Sequence, residues 1–445
     1  MLPGKDNKLF NSLINISRWL LALVIMASGF LKAVDPNGAM LKLQEYADVL
    51  SIGEVPDAWL LIGAVAQSSI EFLLGIFLLV GVYRRFVPLL TMLMLLFFTP
   101  LSFYLWINGS IDDCGCFGEA VTISNKATFI KNVVLLALSV AVFFGKKRFV
   151  WCMSHKCRWM VAIYTLLYIL MLNIVSYRHL PVIDSGKYAK GNNLREMTTG
   201  VPGKYGIVSV YSDGGEERLL PEGETPGEGW EFIEARSVLV EEGVSAEIED
   251  FSIIDWETDE ELSESILSDT GYVCIAVLST MEKASVSRAD KLNDLYSYCR
   301  EKGTRFCAVT SSGEDVIELW RKRTGAEYPV AWADQKMLSS MIHSNPGLLL
   351  LKDGVIVGKW NINDVPDIEK IAGAKTGMPD SVWTPLEKML YWPFWVVSLF
   401  GVLFMILLLD VMMVAIGRKR RALAFEKAAR KVAAEECSKV IDENK

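Results

Sequence analysis

The sequence predicts a membrane protein in which an α-helical bundle of six transmembrane spans is joined to an α/β domain outside the bilayer. Three observations carry that prediction. The 445 residues are 51% hydrophobic, too apolar for one soluble globule, yet 22% charged, too polar for a chain wholly inside lipid. Six nearly uncharged runs are long enough to cross about 30 Å of hydrocarbon. Between the fifth and sixth runs, short apolar strands alternate with amphipathic helices, the pattern of a mixed sheet covered by helices. The formal charge of -8 argues against nucleic-acid binding, which needs a basic face. Eight cysteines in a chain of this length do not make a disulfide scaffold.

The apolar runs lie near 16–34, 59–81, 86–107, 128–145, 159–177 and 392–416. Lys5, Lys8 and Arg18 precede the first. Arg84 and Arg85 join the second and third, and Lys146, Lys147, Arg148, Lys156 and Arg158 join the fourth and fifth. Arg418, Lys419, Arg420 and Arg421 follow the sixth, whereas the opposite loops hold little beyond Lys42 and Lys126. The positive-inside rule then puts both termini in the cytoplasm and the loops 35–58, 108–127 and about 178–390 on the outer side of the membrane. The first run lacks an A-x-A-like cleavage site and reads as a retained anchor.

These spans divide the chain into a four-helix part (1–150), a fifth helix (151–177), an acidic extracytoplasmic segment (178–270), an α/β domain (271–375), a sixth helix (390–417) and a tail that begins basic (418–445). Between 211 and 270 acidic residues greatly outnumber Arg218 and Arg236. Such a stretch is either a solvated, partly flexible face or a surface for cations or a basic partner. From Gly271 the elements are a buried strand (272–279), a helix (287–302), a strand (305–311), a helix (313–323), a short strand (328–334), a helix (335–343) and a hairpin (347–360) turning at Asp353-Gly354.

This order resembles the thioredoxin-like fold, and Asn345-Pro346 stands where that family carries its cis-proline. The resemblance also implies a Cys-x-x-Cys at the first helix start, where the helix dipole lowers the thiol pKa. That place reads STMEKAS (279–285), without cysteine, so thioredoxin chemistry there is not expected. Cys274, Cys299 and Cys307 fall on inward positions; they are either buried small hydrophobes or, for two of them, a structural disulfide.

The most informative short motif is DDCGCFGE (112–119), at the outer end of span three. Cys114 and Cys116, one glycine apart, can close a disulfide only with strain, which suits exchange better than stapling. Together with SGFLKAVDPNGAMLKLQEY (28–46) and IEFLLGIFLLVG (70–81), this CGCFG makes the first 145 residues resemble the DoxX and MauE families of small four-helix membrane proteins. The resemblance implies a link to thiol-disulfide maturation of exported proteins, here in a fused version of the kind seen in Bacteroidetes-type bacteria.

Several polar residues stand out against this apolar background. Glu71, near the middle of span two, is expected to face the bundle interior in its neutral form. It would either bond Gln67, Ser68 or a neighbouring helix, or handle protons beside a redox centre or a quinone, although the sequence itself names no cofactor. Lys32 and Asp35 at the outer end of span one would pair across the bundle mouth, or simply snorkel and end the helix. WCMSHKCR (151–158) offers Cys152, His155 and Cys157 but no fourth ligand at zinc spacing, so no metal site is expected. Cys437 in the helix-prone tail has no partner in sequence.

The expected function is that of a thiol-disulfide accessory working through Cys114 and Cys116 on an exported or envelope protein. The competing reading is a non-enzymatic scaffold whose thioredoxin-like domain only binds.

Overall fold

The computed structural model describes residues 8–443 apart from 54, 110–114, 116–117, 119–122, 149–152, 155–156, 182, 185, 201–203, 213–216, 222–226, 228–230, 242–245 and 366–391. They form two compact units, Met1–Ser185 with Thr384–Lys445, and Gly186–Trp383.

The first unit contains α1 (Lys8–Val34), α2 (Pro36–Val49), α3 (Asp57–Val80), α4 (Val87–Asn108), α5 (Asn125–Gly145), α6 (Arg158–Arg178) and the final helix α12 (Trp392–Glu443). All but α2 are long and apolar enough to span a bilayer, as the six runs predict. Burial supports the same reading. Large apolar side chains such as Leu13, Ile16, Trp59, Ile62, Phe97 and Phe144 are exposed, while Ser68, Thr91, Ser102, Thr128, Ser139 and Thr165 are buried between helices. That distribution suits lipid, where apolar surface is at no disadvantage and small or hydroxylated residues let helices approach. The chain is a multi-pass membrane protein.

Polar contacts tie the spans in pairs. Asn132 Nδ2 of α5 donates to Ser102 Oγ of α4 at 3.1 Å, and Ser68 Oγ of α3 donates to Asn173 Oδ1 of α6 at 3.3 Å. Tyr168 and Tyr164 of α6 donate to the carbonyls of Trp395 and Ser398 on α12, at 2.6 and 3.0 Å. Helices α1 and α3 meet through Gly29 and Gly75, where a Cβ would stand 2.4 Å from Phe72 N and 2.5 Å from Met26 N. Arg18, read in sequence as a charge preceding the first span, is instead inside α1 and fully buried.

The second unit is built on a six-stranded sheet, with β4 (Ile254–Asp255), β5 (Tyr272–Leu278), β6 (Arg305–Thr310), β7 (Val330–Trp332), β8 (Gly347–Lys352) and β9 (Val355–Asn361) in the order β9-β8-β5-β6-β7-β4. Strands β5, β6 and β7 run parallel, while β8 and β9 are antiparallel to their neighbours. The short helices α7 (Leu194–Thr198) and α8 (Ser263–Leu267) precede β5, and α9 (Ala289–Lys302), α10 (Glu314–Thr324) and α11 (Gln335–Met341) connect the strands from β5 to β8. Three central parallel strands followed by an antiparallel hairpin make the thioredoxin-like arrangement. Val355 pairs with Lys352 across a two-residue loop, with Asp353 at φ 50° and Gly354 at φ 74°, as an Asp-Gly hairpin demands. The free edge of β9 is covered by chain N-terminal to it: Gly191 N donates to Ile356 O and Ile356 N to Asn192 O.

The acidic segment also contains regular structure: β1 (Lys204–Ser212), β2 (Glu217–Pro221) and β3 (Glu231–Glu241) form a three-stranded antiparallel sheet in the order β2-β1-β3. The β-branched and aromatic residues of KYGIVSVYS and EFIEARSVLVE favour strands whatever the net charge, since charged side chains on the solvated face of an antiparallel pair cost little.

Candidate functional site

The four N-terminal spans and α2 enclose a cavity. Its volume is about 60 Å³. Helical spacing places its lining. Ser28 and Lys32 on α1, and Gln67 and Glu71 on α3, are each four residues apart and share a face. Met94, Leu95 and Phe98 of α4, Leu135 of α5 and Leu43 of α2 supply apolar walls, and Asn132 of α5 adds a polar group.

At its polar end the Glu71 carboxylate accepts from Lys32 Nζ at 2.6 Å and Gln67 Nε2 at 3.2 Å on Oε1, and from Ser28 Oγ at 2.7 Å on Oε2. Lys32 and Glu71 are only 7% and 4% exposed, so their charges compensate each other out of water. The Lys32 ammonium also lies 5.7 Å from the Phe98 ring centroid. Glu71 faces the interior as expected, but it meets an ammonium and not merely neutral donors. Ser68, expected as a partner, turns instead to Asn173 and Val65 O.

Of the two roles expected for Lys32 and Asp35, Asp35 takes the one at a helix end. Asp35 caps α2, its Oδ1 accepting from Gly38 N at 3.0 Å ahead of Pro36 in the first turn. An aspartate before proline is well suited to start a helix, and Lys32 at the end of α1 is left to reach across to α3.

Cys114 and Cys116 lie outside the described residues, but Gly115 between them lines the cavity. It has φ 53°, its carbonyl accepts from Gly118 N, and a Cβ on it would stand 2.9 Å from Lys42 Cγ. Gly115 is thus seated against Lys42 of α2. Cys152 and His155 also lie outside the described residues. Cys157 is buried at the N-cap of α6. Nearby Asp410 of α12 accepts from Ser154 N at 2.8 Å and from the Ser154 hydroxyl. Among the described residues no three His, Cys, Asp or Glu converge as metal ligands.

In the second unit the place of the family's thiols is held by hydroxyls and amides. Asn345 Nδ2 donates to Thr280 O at 2.7 Å, Met281 N to Ser312 Oγ at 2.9 Å, and Ser312 Oγ to Glu282 at 2.6 Å. The Asn345–Pro346 peptide beside them is cis. Cys274, Cys299 and Cys307 are free and buried. Burial holds the Cys274 thiol above its usual pKa and pushes that of Cys307 up to about 12, which leaves both without thiolate at neutral pH.

Sequence reasoning passed over Ser28, Asn132 and Asp410. Asn132 and Asp410 carried a usable signal, a polar side chain within an apolar span.

Residues 11–145 match the family model of methylamine utilisation protein MauE. No curated protein matches the chain. Among solved structures, a putative protein disulfide isomerase from Bacteroides thetaiotaomicron is 13% identical, covering 32% of this chain and 82% of that one, with a TM-score of 0.23. A putative thioredoxin from Neisseria meningitidis is 18% identical over 31% of this chain and 89% of its own, with a TM-score of 0.24. The thioredoxin domain of a thiol-disulfide oxidoreductase from Bacteroides vulgatus is 14% identical over 32% and 92%, with a TM-score of 0.22. Family match and strand order together describe one chain, in which a MauE-like membrane bundle is fused to a thioredoxin-like α/β domain.

Proposed function

We propose that this protein is a thiol-disulfide accessory of the bacterial inner membrane, with both termini cytoplasmic and the thioredoxin-like domain periplasmic. Cys114 and Cys116 exchange a disulfide with an exported or envelope protein. The observation that carries this reading is the seat of Gly115: the residue joining the two cysteines lines a cavity that holds a buried Lys32–Glu71 pair. In the exchange, a partner thiolate attacks the Cys114–Cys116 bond and forms a mixed disulfide. The partner's second thiolate then displaces the sulfur, which leaves the partner oxidised and the pair as two thiols. The thioredoxin-like domain, with no thiol at 279–285 and its three cysteines buried, binds and positions the partner without reacting.

Cys116→Ser leaves Cys114 able to attack the disulfide of an oxidised partner, the reverse of the last step, with no second sulfur in this chain to release it, and is expected to trap a covalent adduct through Cys114 on non-reducing gels; Cys114→Ser traps one through Cys116 if the order is reversed. The double serine variant should insert at normal abundance and form no adduct. If each single variant instead lowers abundance and no adduct appears, the pair is structural and the chain is a membrane scaffold with a binding domain. Orientation is tested separately with an impermeant thiol reagent: Asn108→Cys should be labelled from outside and Arg84→Cys should not. Labelling at position 84 overturns the six-span topology.

A further inference from the structure

The thioredoxin-like domain keeps three cysteines inside its core, and the sheet separates one of them from the other two. Side chains alternate along a strand, and residues paired side by side share a face. Cys274 on β5 stands beside Phe306 on β6, whereas Cys307 stands beside Ile275, so Cys307 points to the opposite face from Cys274. The face of Cys274 is the one that α9 covers, since the Phe306 ring meets Tyr296 of α9 with centroids 5.6 Å apart. Leu292, Leu295 and Cys299 form the buried stripe of α9 at helical spacing. All three share one core cluster with Cys274 and Phe306, a cluster that does not include Cys307. Across this contact the Cys274 and Cys299 thiols hydrogen-bond each other.

We infer that Cys274 and Cys299 are the two halves of a disulfide that closes as the domain folds, and that Cys307 stays a thiol. Two S–H bonds break and one S–S bond forms. The two electrons and two protons pass to a disulfide-bearing oxidant, of the glutathione or protein type, whose own S–S bond becomes two thiols. Thiols already in contact reach an S–S bond of about 2 Å through χ1 rotation and a small shift of helix on strand. Timing follows from burial. Cys274 and Cys299 are 1% and 0% exposed, and burial with a thiol neighbour holds Cys274 above its usual pKa, so exchange takes place before β5 and α9 close over the sulfurs. The bond fastens α9 to the central strand directly behind residues 279–285, where this domain has lost its reactive thiols. In the cell it rests on the outer placement of the domain proposed above, because disulfides persist on the oxidising side.

The test uses a full-length variant in which Cys114, Cys116, Cys152, Cys157 and Cys437 are replaced by alanine, which leaves the three cysteines of this domain. It is reduced, unfolded with urea in detergent and refolded in a mixture of reduced and oxidised glutathione. Free thiols are then blocked with N-ethylmaleimide before digestion without reduction. Mass spectrometry should find one linked pair, Cys274 with Cys299, and Cys307 blocked. The linked protein should melt about 5 °C or more above its reduced form, because the cross-link removes loop-closure entropy from the unfolded chain. Cys274→Ala/Cys299→Ala should abolish that difference, and Cys307→Ala should keep it. Refolded protein with Cys274 and Cys299 both blocked, or with a link through Cys307, overturns the inference. Wild-type chain blocked directly in intact cells separates this pairing from the topology on which it rests. The link in cells supports both, while the link in refolded protein with free thiols in cells upholds the pairing and overturns the outer placement.

Discussion

Replacing Glu71 with alanine is expected to lower the stability of the membrane bundle by about 3–5 kcal/mol, because it leaves a buried ammonium without its counter-charge. Lys32 is 7% exposed, and its Nζ has Glu71 as its ion-pair partner at 2.6 Å. With the carboxylate gone, neither Gln67 nor Ser28 supplies an opposite charge, and the ammonium must lose its proton or drag water into the bundle. Glu71→Gln should cost less, since an amide oxygen still accepts from Lys32. The double variant Lys32→Met/Glu71→Leu should recover most of the loss, because two apolar side chains of similar length remove both desolvated charges together. Denaturant or thermal unfolding of wild type, Lys32→Met, Glu71→Leu and the double variant in the same detergent forms a double-mutant cycle. A large coupling energy is the expected result. Additive effects of the two single variants would mean that the pair is not an ion pair in the folded bundle.

The six spans were readable from apolar runs alone because lipid imposes a length and a composition on every crossing helix, and the structure places helices on all six. The hairpin at Asp353-Gly354 and the strands of the thioredoxin-like sheet were readable for a similar reason: turn chemistry and buried-strand runs are local. What was hidden depends on rotation and distance. The partner of Glu71 is 39 residues away in the chain, and only the rotational phase of α1 against α3 decides that Lys32 meets Glu71 while Asp35 turns to cap α2. Ser154 and Asp410 are 256 residues apart, so no motif joins them. The sheet over 204–241 was obscured for a different reason. Its acidic composition speaks for solvation, and the signal for strands lies only in its β-branched and aromatic residues, which period-two alternation does not reinforce.

Gly29 and Gly75 lie in the same two motifs that carry Lys32 and Glu71, and substituting either with valine should abolish the folded bundle. A Cβ at Gly29 would meet Phe72 N at 2.4 Å and Ser68 O at 2.8 Å, and one at Gly75 would meet Met26 N at 2.5 Å and Met26 Cα at 2.6 Å. These are backbone atoms of the facing helix, which no rotamer change can move aside. Ordinary overpacking of a core costs about 1–3 kcal/mol because side chains shift. Here the helices themselves must separate, so the loss should exceed that range. Separation would also open the 2.6 Å contact between Lys32 and Glu71, since Gly29 lies one turn before Lys32 on α1 and Gly75 one turn after Glu71 on α3. Gly401→Val on α12 is the matched control, because nothing lies within 4 Å of a Cβ there. The measurements are the yield of monodisperse protein and its melting temperature in one detergent. Gly29→Val melting with Gly401→Val would show that α1 and α3 do not cross through these glycines.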